Sequence, residues 1–184
     1  MKSVSSSLIT LAMILNFSCS SVTVRTDYDR EYDFGKFKTY RWASAEEINP
    51  DDELAKYPLV YKRVQSSVDK ELAARGFSKS ESEEVDFVVL AHAGVKDRMQ
   101  VHSTGYYGGW YDPWWGPYGG STHVSYYEEG TLVIDIISWQ KKELAWRGVG
   151  TKALSDNPNP EKVQREVDSI VTIILKDFPP PYTN

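Results

Sequence analysis

The most chemically pointed residue is Asp135, a lone carboxylate inside the apolar run LVIDII at 132–137. A buried carboxylate must be paired, or its pKa rises and its charged form is lost. Arg147 falls where a return strand would bring it beside Asp135, so a cross-strand ion pair is the preferred reading over a catalytic carboxylate. Glu128 and Glu129 could do acid–base work only if they faced a pocket. His92, His102 and His123 are the only histidines, and no HxH or HExxH spacing joins them. Metal centres need converging His, Cys and carboxylate ligands. His102 and His123 would approach each other if the ends of the segment between them meet; His92 reads as a hydrogen-bonded residue on a sheet face. The pattern assigns no catalytic residue, metal or cofactor, and there is no serine-nucleophile motif, P-loop or dinucleotide fingerprint.

The aromatic segment GYYGGWYDPWWGPYGG at 105–120 is the most unusual stretch. Glycine and proline punctuate it too often for a helix or a regular strand, so 103–124 is expected to be a long loop. Three readings stay open. The loop folds back over apolar sheet surface, or it presents an exposed contact site, or it is a low-complexity segment with no fixed role. In the second reading Trp110, Tyr111, Trp114, Trp115 and Tyr118 are the contact residues, because Trp and Tyr dominate binding hot spots. Sugar stacking on Trp110, Trp114 or Trp115 and insertion at a membrane interface both belong to it.

The elements that would position these residues form one domain. The chain has 184 residues, 41% hydrophobic and 26% charged, which suits a folded domain with a single core. A net charge of -5 and a pI near 5.3 give no basic footprint, so nucleic acid is set aside as a partner. The single cysteine, Cys19, rules out an internal disulfide.

Lys2 and the apolar run from Leu8 to Phe17 read as a secretory signal peptide over 1–18, too short to span a bilayer. The Ser18-Cys19-Ser20-Ser21 junction resembles the lipobox of bacterial lipoproteins, in which the cysteine is acylated and becomes the first mature residue. Ser18 fits that pattern; Asn16 stands where leucine is usual, and Phe17 is bulkier than usual. The resemblance implies lipidation, including palmitate, at Cys19 and a stable membrane anchor, since each buried CH2 adds about 0.8 kcal/mol. Ser20 rather than aspartate after the cysteine implies an outer-membrane address.

Residues 19–184 then read as a single α+β domain. Strands are expected at 22–28 and 39–42, and a polar connector at 44–57. A helix follows from about Leu59, with Val60, Val64, Val68 and Leu72 on one face, Pro58 in its first turn and Gly76 as its C-cap. Val85 to Val95 is apolar on both faces and belongs in the middle of a sheet. Residues 126–149 form a hairpin with Gln140, Lys141 and Lys142 at its tip, and Leu144, Trp146 and Gly148 share a face of its return strand. A last helix starts at Asn159-Pro160, carries Val163, Val167, Ile170, Val171, Ile174 and Phe178 as a stripe, and stops at Pro179. The order β-β-α-β-β-β-α predicts a two-layer sandwich: a largely antiparallel sheet of about five strands with two helices on one face. The opposite face would be partly exposed or covered by the long loop.

Five segments in order are similar to one family. They are the DYD…DFGKFKTYRW start, DKELAARGF at 69–77, VDFVVLAH at 85–92, EGTLVIDI with LAWRG across the hairpin, and the closing helix with Phe178-Pro179-Pro180. Together they resemble the DUF4136 family of bacterial envelope lipoproteins; Ser138 departs from it where relatives tend to carry an aspartate. The family has no assigned activity, so the resemblance implies an envelope lipoprotein and carries over no catalytic residue or ligand. The resulting expectation is a non-enzymatic, lipid-anchored binding or structural module, bound to the membrane and to an envelope protein or glycan. The alternative is an envelope hydrolase using Asp135, Glu129 or a histidine, or a glycan-binding protein using the aromatic loop.

Overall fold

A computed structural model describes residues 22–103, 122–154 and 159–181, with side chains over 22–96, 128–154 and 159–181. Cys19 and the aromatic residues at 105–120 lie outside the described residues. The elements are β1 (Thr23–Tyr28), β2 (Thr39–Trp42), α1 (Glu53–Lys56), α2 (Pro58–Ala74), β3 (Ser78–Lys79), β4 (Phe87–Ser103), β5 (Thr122–Ser138), β6 (Glu143–Ala153) and α3 (Pro160–Ile174).

Among the described residues the sheet has six strands in the order β1-β6-β5-β4-β2-β3. It is α+β, as read, but the sheet is mixed rather than largely antiparallel, and it has a sixth strand and a third helix. β2 runs parallel to β4, pairing Tyr40 with Phe87 and Trp42 with Val89, because α2 carries the chain back along the helix layer before β4 starts. β3 is parallel to β2 through Thr39–Ser78 and Tyr40–Lys79 only. Two exposed polar residues leave no periodicity from which to read a strand.

One face of the sheet is dry. Phe87, Val89 and Ala91 of β4 and Leu132, Ile134 and Ile136 of β5 point into it, against Val64, Val68 and Leu72 of α2 and Val167, Ile170, Val171 and Ile174 of α3. Phe87 is fully buried and lies 5.3 Å from the Phe37 ring, 5.5 Å from Tyr40 and 5.4 Å from Phe77. On β6 this face is made by Trp146, Gly148 and Gly150. A Cβ on Gly148 would stand 2.5 Å from Ile174 Cγ2, so the absent side chain is what lets α3 seat on the strand. α2 starts without a side-chain cap, and α3 ends at Ile174, short of the expected stop at Pro179: a 3-10 turn at Leu175–Asp177 tightens the chain, so Phe178 lies outside the helix and enters the core from an extended segment. Pro58 and Pro160 occupy first turns, the Asn159 side chain accepts from Lys162 N, and Gly76 takes φ +88° after α2.

The hairpin corrects one expectation. A register shift between Ile136 and Ile137 sets Ile136 against Trp146 but Ile137 against Leu144. The extra residue, Ala145, moves Leu144 to the opposite face from Trp146 and leaves it 42% exposed.

β4 and β5 also run further than the apolar pattern suggests. Beyond Asp97 and Glu128, whose carbonyl still accepts from Leu154 N, they pair only with each other among the described residues, out to Ser103–Thr122. They form a two-stranded ribbon leaving the end of the sheet where β1 begins.

Candidate functional site

The opposite face of the sheet carries the ionisable residues. It has a small apolar patch, Ala43, Val85 and Val88 with Ile48, Leu90, Ile137 and Trp139 packed on it. The connector at 44–57 therefore covers part of this face. Next to that patch runs a string of four polar side chains, one from each of four neighbouring segments.

Asp135 projects here because its strand neighbours Ile134 and Ile136 take the dry face. Its register partner on β6 is Arg147, and the pair is bidentate: Nε donates to Oδ1 and Nη2 to Oδ2, both at 2.7 Å. The Asp135 carboxylate holds the Arg147 guanidinium above its ordinary pKa, against the effect of burial. The register partner of Asp135 on β4 is Leu90, and His92 stands two residues on. His92 Nε2 lies 3.6 Å from Asp135 Oδ2, beyond hydrogen-bond distance. His92 Nδ1 lies 3.2 Å from Asp52 Oδ2.

Asp52 reaches this site because β2 ends early. Past Val89 the edge of β4 has no strand beside it, and the Asp52 Oδ1 atom accepts from Ala93 N at 3.1 Å in place of a strand carbonyl. The same oxygen caps α1 through Leu54 N at 2.8 Å. One carboxylate thus ties a helix start, a strand edge and a histidine together.

The side chain of Asp135 is 4% exposed and that of Arg147 48%. The string therefore runs from a buried carboxylate to a half-exposed cation. Chemically the decisive point is His92. Both ring nitrogens face carboxylates, Nδ1 at hydrogen-bond distance from Asp52 and Nε2 farther off from Asp135. Asp135 is likewise committed to Arg147.

Two open clefts lie to one side. One, of about 530 Å³, has Arg41, Trp42, Glu47, Gln65 and Trp139 in its wall. In it Arg41 lies over the Trp139 ring at 4.8 Å and donates to both Glu47 oxygens, which lowers the Glu47 carboxyl to about 2. The other, of about 780 Å³, lies between Glu31–Phe37 and Ser138–Lys142. Glu128 and Glu129 line neither cleft. Among the described residues no group of three or more His, Cys, Asp or Glu side chains is arranged to hold a metal ion, and no described helix is long and apolar enough to cross a membrane.

A third polar cluster is structural. Asp69 of α2 accepts from the Tyr40 hydroxyl at 2.9 Å and from Trp42 Nε1 at 2.8 Å. Burial, then the bond to Asp69, raises the Tyr40 pKa. This cluster pins α2 to β2.

Residues 24–180 match the family model described as Domain of unknown function (DUF4136). The chain belongs to the DUF4136 family. Sequence comparison with curated proteins finds no match. Among solved structures, a PDZ domain protein from Parabacteroides distasonis is similar with a TM-score of 0.56 at 12% identity, covering 89% of this chain and 36% of that one. The DUF4136 chain thus spans about a third of that protein, and the likeness concerns the fold alone. PelC from Paraburkholderia phytofirmans, described as a dodecamer, aligns at TM-score 0.47 and 13% identity over 84% of this chain and 95% of that one. A minor lipoprotein from Acinetobacter baumannii aligns at 0.38 and 13% over 77% and 91%.

Against the sequence reading, the DUF4136 domain brings Asp135 and Arg147 together as a closed pair. It sets His102 opposite His123 as backbone register partners, though their side chains lie outside the described residues. Trp110, Tyr111, Trp114, Trp115 and Tyr118 also lie outside them, as does Cys19. Asp52 is the site residue that sequence reasoning missed. Its signal was the Asp51-Asp52 pair just before ELAK, an N-cap pattern inside what reads as a connector.

Proposed function

We propose that this DUF4136 protein is a lipid-anchored component of the bacterial cell envelope, at the outer membrane, acting as a non-enzymatic binding or structural module. The observation that carries the non-enzymatic part is the closed string Asp52–His92–Asp135–Arg147, in which the best acid–base candidates are spent on one another. The anchor rests on the signal-like N-terminus and Cys19, acylated with palmitate among its chains. The partner is an envelope protein or a glycan, and the contact residues are Trp110, Tyr111, Trp114, Trp115 and Tyr118, on the strength of their composition.

The test is the intact mass of the membrane-extracted protein beside a Cys19→Ala variant. The expected result is a mature mass starting at Cys19 with added acyl groups, and loss of both acyl mass and membrane retention in the variant. An unmodified wild-type protein free of the membrane overturns the anchor. An envelope hydrolysis that disappears in a folded His92→Phe variant overturns the non-enzymatic part.

A further inference from the structure

The register of the sheet fixes which end the anchor leaves from. Thr23, the first residue of β1, pairs with Thr151 of β6; Thr151 pairs with Thr131 of β5; Thr131 pairs with Gly94 of β4. Only Ser20, Ser21 and Val22 separate Cys19 from Thr23, a tether of at most about 14 Å. The β4–β5 ribbon leaves from this same end. Its run from Gly94 to Ser103 extends about 30 Å at the rise of a strand, longer than the tether.

The exposed apolar side chains gather at this end. Val95 pairs with Gly130 and is 45% exposed. Leu154 packs where a Gly130 side chain would be and is 39% exposed. Tyr57 and Leu59 are 59% and 66% exposed at the start of α2. That start is at the same end, because Asp52, one short helix earlier, bonds the β4 edge at Ala93, whereas α2 ends at Ala74, shortly before Ser78 of β3 pairs with Thr39. Of the remaining large exposed apolar residues among those described, Leu144 lies at the opposite end, by the hairpin tip, and Ile173 lies on α3 beside Ile174, which packs on the middle of β6. Charges near this end are mixed in sign, with Lys152 paired to Glu166 and Lys56 to Glu53, so it is not an electrostatic patch.

We propose that this end of the domain is a membrane-seating surface. Tyr57, Leu59, Val95 and Leu154 rest at the lipid headgroup boundary, and the ribbon lies along the bilayer. The occupant is the bilayer that holds the lipid anchor, so the inference rests on the acylation of Cys19 proposed above. A short tether makes the seat: it keeps the apolar end at a high local concentration against the surface, so weak apolar contacts suffice.

The test uses the full lipidated protein with a single fluorophore on Lys96→Cys or on Gln140→Cys at the far end of the hairpin. Acylation blocks Cys19 from labelling. The protein is incorporated into vesicles of phosphatidylethanolamine and phosphatidylglycerol carrying a headgroup nitroxide lipid. Quenching several-fold greater at position 96 than at 140 is expected, and Leu59→Glu with Leu154→Glu should bring the two closer without loss of the anchor. Equal quenching, or greater quenching at 140, overturns the proposal. Intact mass separates the two failures. If Cys19 proves unmodified, the labels are placed in a Cys19→Ala background and read with protein added to preformed vesicles; preferential quenching at 96 then supports the seat, and its absence overturns it.

Discussion

The two faces of the sheet solve burial in opposite ways. On the helix side, Phe87, Ile134, Ile136 and Trp146 are sealed by α2 and α3, and tight packing fixes the arrangement. On the other side, Asp135 is almost as buried, but it is held by a guanidinium, with His92 and then Asp52 in line behind it. Apolar burial is indifferent to the identity of a neighbour, whereas a buried charge is not. The covered face should therefore respond to lost volume and the string face to lost partners.

The largest effect expected is on the covered face. Phe87→Ala removes a ring that touches Phe37, Tyr40, Phe77 and Phe178, and should cost about 3–5 kcal/mol in urea unfolding. If the cost is below that of a surface substitution, the aromatic cluster is not the centre of the core. Gly148→Ala tests the same face from the other direction. The added methyl must displace both Ile174 and the Trp146 ring, and overpacking of that kind costs about 1–3 kcal/mol. An unchanged midpoint would mean that α3 does not sit on β6 as closely as the packing requires.

These two positions also show what a sequence makes legible. The stripe on α3 from Val163 to Ile174, its Asn159 cap and the Gly76 stop follow from local chemistry and are where they were expected, whereas Phe178 falls beyond the helix, after a 3-10 turn. Gly148 was legible as part of a strand, but not as the seat of α3, because that role depends on what crosses it. The misplacement of Leu144 has the same origin. Alternation was read straight through Ala145, and one inserted residue reverses the phase of everything beyond it. The parallel pairing of β2 with β4 depends on where α2 returns the chain, which no local pattern encodes. The Asp135–Arg147 pair was legible because both residues belong to one hairpin. The His92–Asp52 contact was not, since it joins a strand to a cap distant in the chain.

On the string face, Arg147→Ala should leave Asp135 buried without its bidentate partner. Breaking a fully buried pair costs about 3–5 kcal/mol, but Arg147 is half exposed and water can replace part of it, so about 2 kcal/mol is expected. The double variant Asp135→Leu with Arg147→Leu should recover most of that loss, because no charge is left stranded. A double variant as unstable as Arg147→Ala alone would mean that the string holds the face through more than charge pairing. His92 is the place to look next, since it would then lack Asp135 while keeping Asp52.

The smallest effect expected separates a buried ion pair from an exposed one. Glu47 is also bidentate to arginine, through Arg41, and this bond lowers its carboxyl to about 2, yet its side chain is 43% exposed. A carboxylate whose folded pKa lies below its unfolded value adds stability that is present above the unfolded pKa and fades as pH falls through the folded one. For Glu47 that window runs from about pH 4.3 down to about 2. Solvent screening limits the contribution to about 0.2–1 kcal/mol. Unfolding midpoints of wild type and Glu47→Gln, compared between pH 7 and pH 2, should therefore differ slightly at neutral pH and converge toward pH 2. If the gap instead stays constant with pH, Glu47 acts through the geometry of its place at the Ser44 turn, where it accepts from Ser44 N, and not through its charge. If it widens toward pH 2, the assignment of Glu47 as the charged partner of Arg41 is wrong.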